Sequence, residues 1–179
     1  TNLEITIGFE AFDENIRNNI FKKGLSLKVF EELVEKLAQY NFCLKCYFML
    51  KPVPGISDKE AGEDIINAIN YLDGIQKTYK ISINLHLNPT FVASGTEIEQ
   101  AFKRGNYSPP SLWDLATVAQ SARDKNISIF LGLSDEGLAV KGGSFLREGE
   151  VVLVNQLEKF NRTGDFNILD SLGNLKPSL

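Results

Sequence analysis

Ile81-Ser82-Ile83-Asn84-Leu85-His86-Leu87-Asn88 is the stretch whose reading decides the fold of this chain. Ile81, Ile83, Leu85 and Leu87 alternate strictly with Ser82, Asn84, His86 and Asn88. Strand side chains repeat every two residues, so the polar four point to one face. Serine, asparagine and histidine are poor core residues but good hydrogen-bonding ones. Because helical patterns flank this strand, the polar row is expected to line a cavity rather than face bulk water.

Three further stretches repeat the pattern. Leu3, Ile5, Ile7 and Phe9 alternate with Glu4, Thr6, Gly8 and Glu10. Between Phe42 and Lys51, Leu44, Cys46, Phe48 and Leu50 oppose Lys45, Tyr47, Met49 and Lys51. Ile127, Ile129, Leu131 and Leu133 oppose Ser128, Phe130, Gly132 and Ser134. Strands alternating with helices normally build parallel sheets covered on both faces, and then read as continuous apolar runs. Here one face stays polar. A barrel or half-barrel with helices outside and a ligand-filled lumen accounts for this. An α+β sheet with one solvated face is the competing reading.

Helical signals fill the intervals. Asp13 caps a predicted helix over residues 14–21, ended by Gly24. Ser26 caps a second, with Val29, Phe30, Leu33, Leu37 and Tyr40 as its apolar stripe. Pro52 and Pro54 stop the second strand, and Ser57-Asp58-Lys59-Glu60 is a capping box for a helix turning Ala61, Ile65, Ile66, Ile69 and Leu72 inward. Thr96 caps a helix to Phe102. Another is expected from Pro110 in its first turn, with Ser108 as cap, to Lys125. A helix over 149–160 and an amphipathic segment at Phe166–Leu172 close the chain. The order βααβαβααβαα is that of an α/β protein of parallel β/α units. Residues 1–179 read as one domain, with barrel units over 1–134 and a C-terminal extension over 135–179.

With 179 residues, 43% of them hydrophobic, the chain can build one sizeable core. A complete eight-unit barrel needs about 250 residues, and the chain opens on a strand without an initiator Met. Both suggest a piece of something larger. The formal net charge of −4 argues against nucleic-acid binding driven by a basic field over the whole chain. No apolar run reaches the roughly 20 residues of a membrane span and no secretory signal is visible, so a cytosolic, non-membrane protein is expected.

Cys43 and Cys46 spell CxxC, a redox or zinc spacing. Within a strand, however, residues three apart point to opposite faces, and two such thiols cannot share a metal or a disulfide. They are expected to be structural, leaving the chain no metal ligands.

In parallel β/α sheets ligands bind at the carboxyl ends of the strands. Those ends carry Glu10, Lys51, His86 with Asn88, and Ser134 with Asp135. The set suits a zwitterionic small molecule, a lysine taking its carboxylate and a glutamate its ammonium. It has no nucleophile–base pair and no glycine-rich phosphate loop.

Ile7-Gly8-Phe9-Glu10, Asp13-Glu14-Asn15-Ile16 and Lys22-Lys23-Gly24 resemble the fourth-strand segment of radical S-adenosylmethionine enzymes. The branch is that of the elongator catalytic subunit and the methylthiotransferases. Tyr47-Phe48-Met49-Leu50-Lys51-Pro52, Ser57-x-x-Glu60-Ala61, Asn88-Pro89-Thr90-x-Val92, Gly95-Thr96-x-x-Glu99 and Lys103-Arg104-Gly105-x-Tyr107-x-Pro109-Pro110-x-Leu112-Trp113 narrow it further. They are similar to the archaeosine-biosynthesis-type enzymes and their bacterial relatives. The resemblance covers residues 3–125. It implies the C-terminal half of a partial TIM-like (β/α)6 barrel. It also implies a parent Fe–S oxidoreductase that uses a [4Fe-4S] cluster to cleave S-adenosylmethionine reductively, with tRNA or another nucleoside-containing molecule as the expected substrate.

By position, the resemblance gives Glu10 and Lys23 the amino-acid moiety of the cofactor. It gives Lys51, Asn88 and Tyr47 the substrate side of the lumen, which His86 also lines. The family's CxxxCxxC is absent, so the cluster is expected on a missing N-terminal half, and this segment alone should be inactive. The glutamate at position 10 replaces the glutamine of many relatives. Two other readings stand beside this one. The first is a non-catalytic ligand-binding domain with a degenerate barrel. The second is an unrelated barrel enzyme using His86 as acid or base. The open sheet edges of a half-barrel also predict self-association.

Overall fold

Four parallel strands form a single sheet in the order β1-β2-β3-β4 in a computed structural model that describes residues 3–40 and 42–172. β1 (Glu4–Glu10) is followed by a π-helical turn (Asn15–Ile20) and α1 (Leu27–Ala38), then β2 (Cys43–Leu50) and α2 (Asp58–Tyr79). β3 (Ile83–Pro89) leads to α3 (Glu97–Lys103) and α4 (Leu112–Ala119), which ends in a 3₁₀ turn at Gln120–Ala122. β4 (Ser128–Leu131), α5 (Val151–Thr163) and α6 (Asn167–Leu172) complete the order. Each strand lies beside its sequence neighbour, so the sheet has no point at which strand order reverses. Any ligand end therefore lies along the whole row of carboxyl termini.

The alternation in the strands is the alternation of the sheet. Leu44, Cys46, Phe48 and Leu50 of β2 and Ile83, Leu85 and Leu87 of β3 are buried in one core with residues of α1, α2, α4, α5 and α6. The core runs from Phe9 to Leu172, so residues beyond 134 are built into it. On the opposite face the strand register stacks the side chains in rows. Thr6, Lys45, Asn84 and Ser128 form a polar row near the amino ends. Gly8, Tyr47, His86 and Phe130 form the next, and Met49 pairs with Asn88 above them. This face carries no helix among those that share the core.

Several sequence expectations shift. The helix expected over 14–21 is a π-turn, a wider ring of the kind that marks functional sites. The buried stripe of α1 is Phe30, Val34 and Leu37, while Val29 and Tyr40 are exposed. The cap of α4 is Ser111, not Ser108, because Asp114 three residues on completes a capping box with it. Pro109 and Pro110 therefore precede the helix instead of opening it. β4 is short, since the chain leaves the ladder after Leu131.

The two sheet edges differ. On β4, the Asn161 carboxamide donates to the Leu131 carbonyl at 2.8 Å and accepts from the Leu131 N–H at 2.9 Å. A side-chain amide thus takes the place of a further strand. Among the described residues β1 has no such cap on its outer edge, so it is the edge left to pair.

Candidate functional site

Glu10 closes β1 and leaves it in a left-handed conformation (φ 65°), after a register shift between Gly8 and Glu10. This bulge sends Phe9 into the core and turns Glu10 back over the open face. The Lys23 ammonium sits 2.6 Å from Glu10 Oε1. The pair lies directly over Gly8: a Cβ there would fall 2.7 Å from Glu10 Oε1 and 3.2 Å from Lys23 Nζ. The ion pair thus occupies the space that Gly8 leaves, and a side chain there would have to displace the two charged ends.

The loop that delivers Lys23 is held from inside. Arg17 is buried, and its guanidinium donates to the carbonyls of Leu25 (2.7 Å), Ala11 (3.3 Å) and Phe12. Asn18 exchanges two hydrogen bonds with the backbone of Leu25. Both ends of the 11–25 loop are thus tied to side chains of its own π-turn, and the Lys23 N–H donates to the Arg17 carbonyl.

Glu10 lies in the wall of a cavity of about 450 Å³ at the carboxyl ends of the strands. Tyr47, Met49, Asn88, Thr90 and Phe91 contribute further wall, and Ser134 and Glu136 come from the loop after β4. That loop is stitched to the one after β3. Val140 N–H donates to the Val92 carbonyl, and Val92 N–H donates to the Gly143 carbonyl, both at 2.8 Å. Gly143 packs so closely on Val92 that a Cβ would fall 2.7 Å from it. The Asn88 carboxamide in turn rests on Gly132, where an added Cβ would meet Asn88 Oδ1 at 2.1 Å.

The structure thus brings Glu10, Tyr47 and Asn88 into one cavity, with Lys23 joined through Glu10. Lys51 lies elsewhere. The strand ends at Leu50, Lys51 turns left-handed (φ 59°), and its ammonium donates to Asp58 Oδ1 at 2.7 Å and to Ser108. The period of two stops where the strand stops, so Lys51 leaves the polar face on which its position in the alternation set it. Glu136 and Thr90 were missed by the sequence reading. Glu136 lies two residues beyond Ser134, where the alternation ends, and Thr90 enters only as part of the Asn88-Pro89-Thr90 motif, with no role of its own.

His86 stands lower, in the aromatic row. Its ring stacks on Tyr47 at 4.4 Å and leans on Phe130 at 4.7 Å. It borders a second cavity of about 360 Å³ near the amino ends, with Glu4, Lys45, Asn84 and Ser128. Burial, with the nearby Lys45 charge, lowers its pKa from the ordinary value. The unfolded chain then binds the proton more readily, so stability is lost as pH falls through the unfolded value of about 6.5. Urea titrations at pH 7.5 and 5.5 should show this loss, and His86→Phe should remove it. An unchanged pH dependence in His86→Phe would refute the assignment.

The two cysteines point to opposite sides, as the strand period requires. Cys46 is wholly buried in the core, where desolvation pushes its thiol up to about 12. Cys43 is half-buried at the lower cavity. Among the described residues no group of three or more His, Cys, Asp or Glu is placed to hold a metal ion. No helix among them is long and apolar enough to cross a membrane.

The fold and its cavity define a parallel β/α sheet with a ligand end at its strand carboxyl termini. Comparison with known proteins shows what it resembles. The chain is 31% identical over 140 residues to the archaeosine synthase subunit beta of Methanosarcina acetivorans, covering 78% of this chain and 38% of that protein. It is 26% identical over 176 residues to the Thermococcus kodakarensis subunit of the same name, covering 97% and 51%. An uncharacterised Methanocaldococcus jannaschii protein is 27% identical over 173 residues, covering 94% and 46%. Among solved structures, Methanocaldococcus infernus Elp3 lacking residues 1–46 superposes with a TM-score of 0.58 at 17% identity, over 90% of this chain and 36% of that one. No family model matches. The chain is a relative of proteins named archaeosine synthase subunit beta, and it spans about half or less of the length of these curated relatives.

Proposed function

We propose that this chain is the cofactor- and substrate-binding part of an iron–sulfur radical S-adenosylmethionine enzyme that modifies a nucleoside, in tRNA or free. In this reading the sheet is the C-terminal half of a partial barrel, and its polar face is the lumen wall. The observation that carries it is the Glu10–Lys23 pair over Gly8 at the mouth of the upper cavity. A carboxylate and an ammonium side by side are complementary to an amino-acid zwitterion. Lys23 takes its carboxylate, Glu10 its ammonium, and the missing Cβ of Gly8 leaves the pair its space.

When bound, S-adenosylmethionine supplies a sulfonium-linked adenosyl group whose carbon–sulfur bond opens on one-electron reduction. The chain's residues fit that cofactor but not the cluster. Its two thiols face opposite sides of β2, and one is locked in the core. The cluster ligands belong, on this reading, to a longer parent protein, and β1's outer edge is where its preceding strand pairs. The name "subunit beta" carried by two relatives supports a further partner subunit as well.

The test uses the parent protein, reconstituted without oxygen with iron and sulfide and reduced with dithionite. It is expected to release 5′-deoxyadenosine from S-adenosylmethionine, and Glu10→Ala should cut that release at least about tenfold, as loss of a charged contact implies. A parent that takes up iron yet releases none would leave the chain a non-catalytic ligand-binding domain.

A further inference from the structure

We propose that Lys51 is a positioning residue. From outside the upper cavity, it fixes the part of the cavity wall contributed by Ala93, Thr96 and Ile98. This rests on the reading of that cavity as the ligand site, and it gives a role to a lysine that the structure takes out of the wall.

Lys51 is only 6% exposed, and its backbone is left-handed (φ 59°). That conformation is costly for any residue with a Cβ, and the following Pro52 favours an extended backbone at this position. A glycine would make the same turn more easily. The turn sends the lysine side chain away from the cavity and into the corner formed by Tyr107 and Ser108. There Lys51 grips the chain with its backbone and its side chain. Its carbonyl accepts from the Tyr107 phenol at 2.9 Å. Its ammonium donates to Ser108 Oγ at 3.4 Å and lies 5.4 Å from the centre of the Tyr107 ring. The same ammonium is anchored by Asp58 Oδ1 at 2.7 Å, in the first turn of α2.

The corner carries a small core of its own. Tyr107, Val92 and Ala101 are buried together, with Ile98, Phe102 and Val140 packed around them, apart from the main core. The Val92 backbone holds the loop after β4 through Val140 and Gly143. Ala93, Thr96 and Ile98 line the upper cavity, and that loop adds Glu136. This stretch of wall therefore stands on a satellite core. The grip on Tyr107 and Ser108 ties the satellite to the end of β2, whose Tyr47 and Met49 line the same cavity. Lys51, Val92 and Tyr107 come from three separate stretches on which the sequence resemblance narrows, and folding joins them in one bracket. A wall displaced by about 1 Å loses its fit to a ligand, so a residue that touches no ligand still governs binding.

Hydrogen exchange and S-adenosylmethionine titration are measured on the 179-residue chain and on its Lys51→Leu and Lys51→Arg variants. In Lys51→Leu the amides of Val92, Val140 and Gly143 should lose at least about tenfold in protection, while those of β2 and β3 keep theirs. Affinity for S-adenosylmethionine should fall about three- to thirtyfold, the range for residues that act through packed neighbours. Lys51→Arg keeps a cation for Asp58 and for the Tyr107 ring, and it should recover most of both. Tyr107→Phe removes only the phenol bond and should reproduce the exchange pattern, so the test does not hang on one variant.

Unchanged exchange at Val92 and Val140 in Lys51→Leu overturns the proposal. Protection lost evenly across the chain also overturns it, because the lysine would then serve the whole fold. So do equal losses in the arginine and leucine variants, since the partners of the cation would not matter. Wild-type affinity in a Lys51→Leu chain with loosened Val92 and Val140 amides overturns the link to binding and leaves the cofactor reading standing. A wild-type chain that binds no S-adenosylmethionine overturns the cofactor reading, and the exchange pattern still decides the role of Lys51.

Discussion

Phe9→Ala is expected to remove about 3–5 kcal/mol of stability, the range for truncating a buried phenylalanine. Phe9 is fully buried at the point where β1 bulges. Its ring meets Phe30 edge-on at 4.7 Å and stacks on Phe48 at 5.0 Å, joining β1 to α1 and β2. The cavity left behind would border strand and helix at once, and neither backbone can close it alone. Because Phe9 immediately precedes Glu10, the loss also frees the bulge that aims the carboxylate. Urea unfolding followed by circular dichroism measures the effect. A change below about 1 kcal/mol would mean that the core collapses around the site, contrary to this packing.

Arg17→Met is expected to cost about 2–4 kcal/mol and to loosen residues 11–25 as a unit. Three carbonyls share this guanidinium, and each loses a charged donor worth roughly 1.5–3 kcal/mol. Part of that loss is offset, since a buried cation is costly to desolvate and methionine fills similar space. Hydrogen exchange separates the local effect from the global one. The Lys23 and Leu25 amides should lose protection before those of β2 and β3, and Lys23 should lose its fixed approach to Glu10. Uniform loss across the chain would contradict a local clamp. Arg17 also lies 5.7 Å from the centre of the Phe9 ring. The double variant should therefore lose less than the two single losses together, by about 0.5–2 kcal/mol.

Much of the site's frame could be read from residues in order. The alternation in Ile81–Asn88 assigns the polar face of β3, and the structure keeps Asn84, His86 and Asn88 on it while burying Ile83, Leu85 and Leu87. The capping box at Ser57 and the cap at Thr96 mark their helix starts because the cap and its partner are three residues apart, within reach of local sequence. Where the period of two ends, the reading fails. Lys51 continues the alternation of β2 on paper, yet a left-handed turn swings it to Asp58. The buried stripe of α1 departs from the expected one for a related reason. Val29 and Tyr40 sit at helical spacing, but which spacing faces the sheet depends on how the helix lies across it.

The sequence by itself determined the strands, their polar face, the helical connections and the family resemblance, because each rests on contacts between residues near one another in the chain. Only the tertiary structure decided what meets across distance. Lys23 reaches Glu10 because Arg17 closes the intervening loop, and Asn88 packs against Gly132 just beyond the next strand. Asn161 ends the sheet at β4, and Thr90 is buried beside the Tyr107 phenol, which reaches the Lys51 carbonyl. These are pairings between parts of the chain brought together by folding, and no local period encodes them.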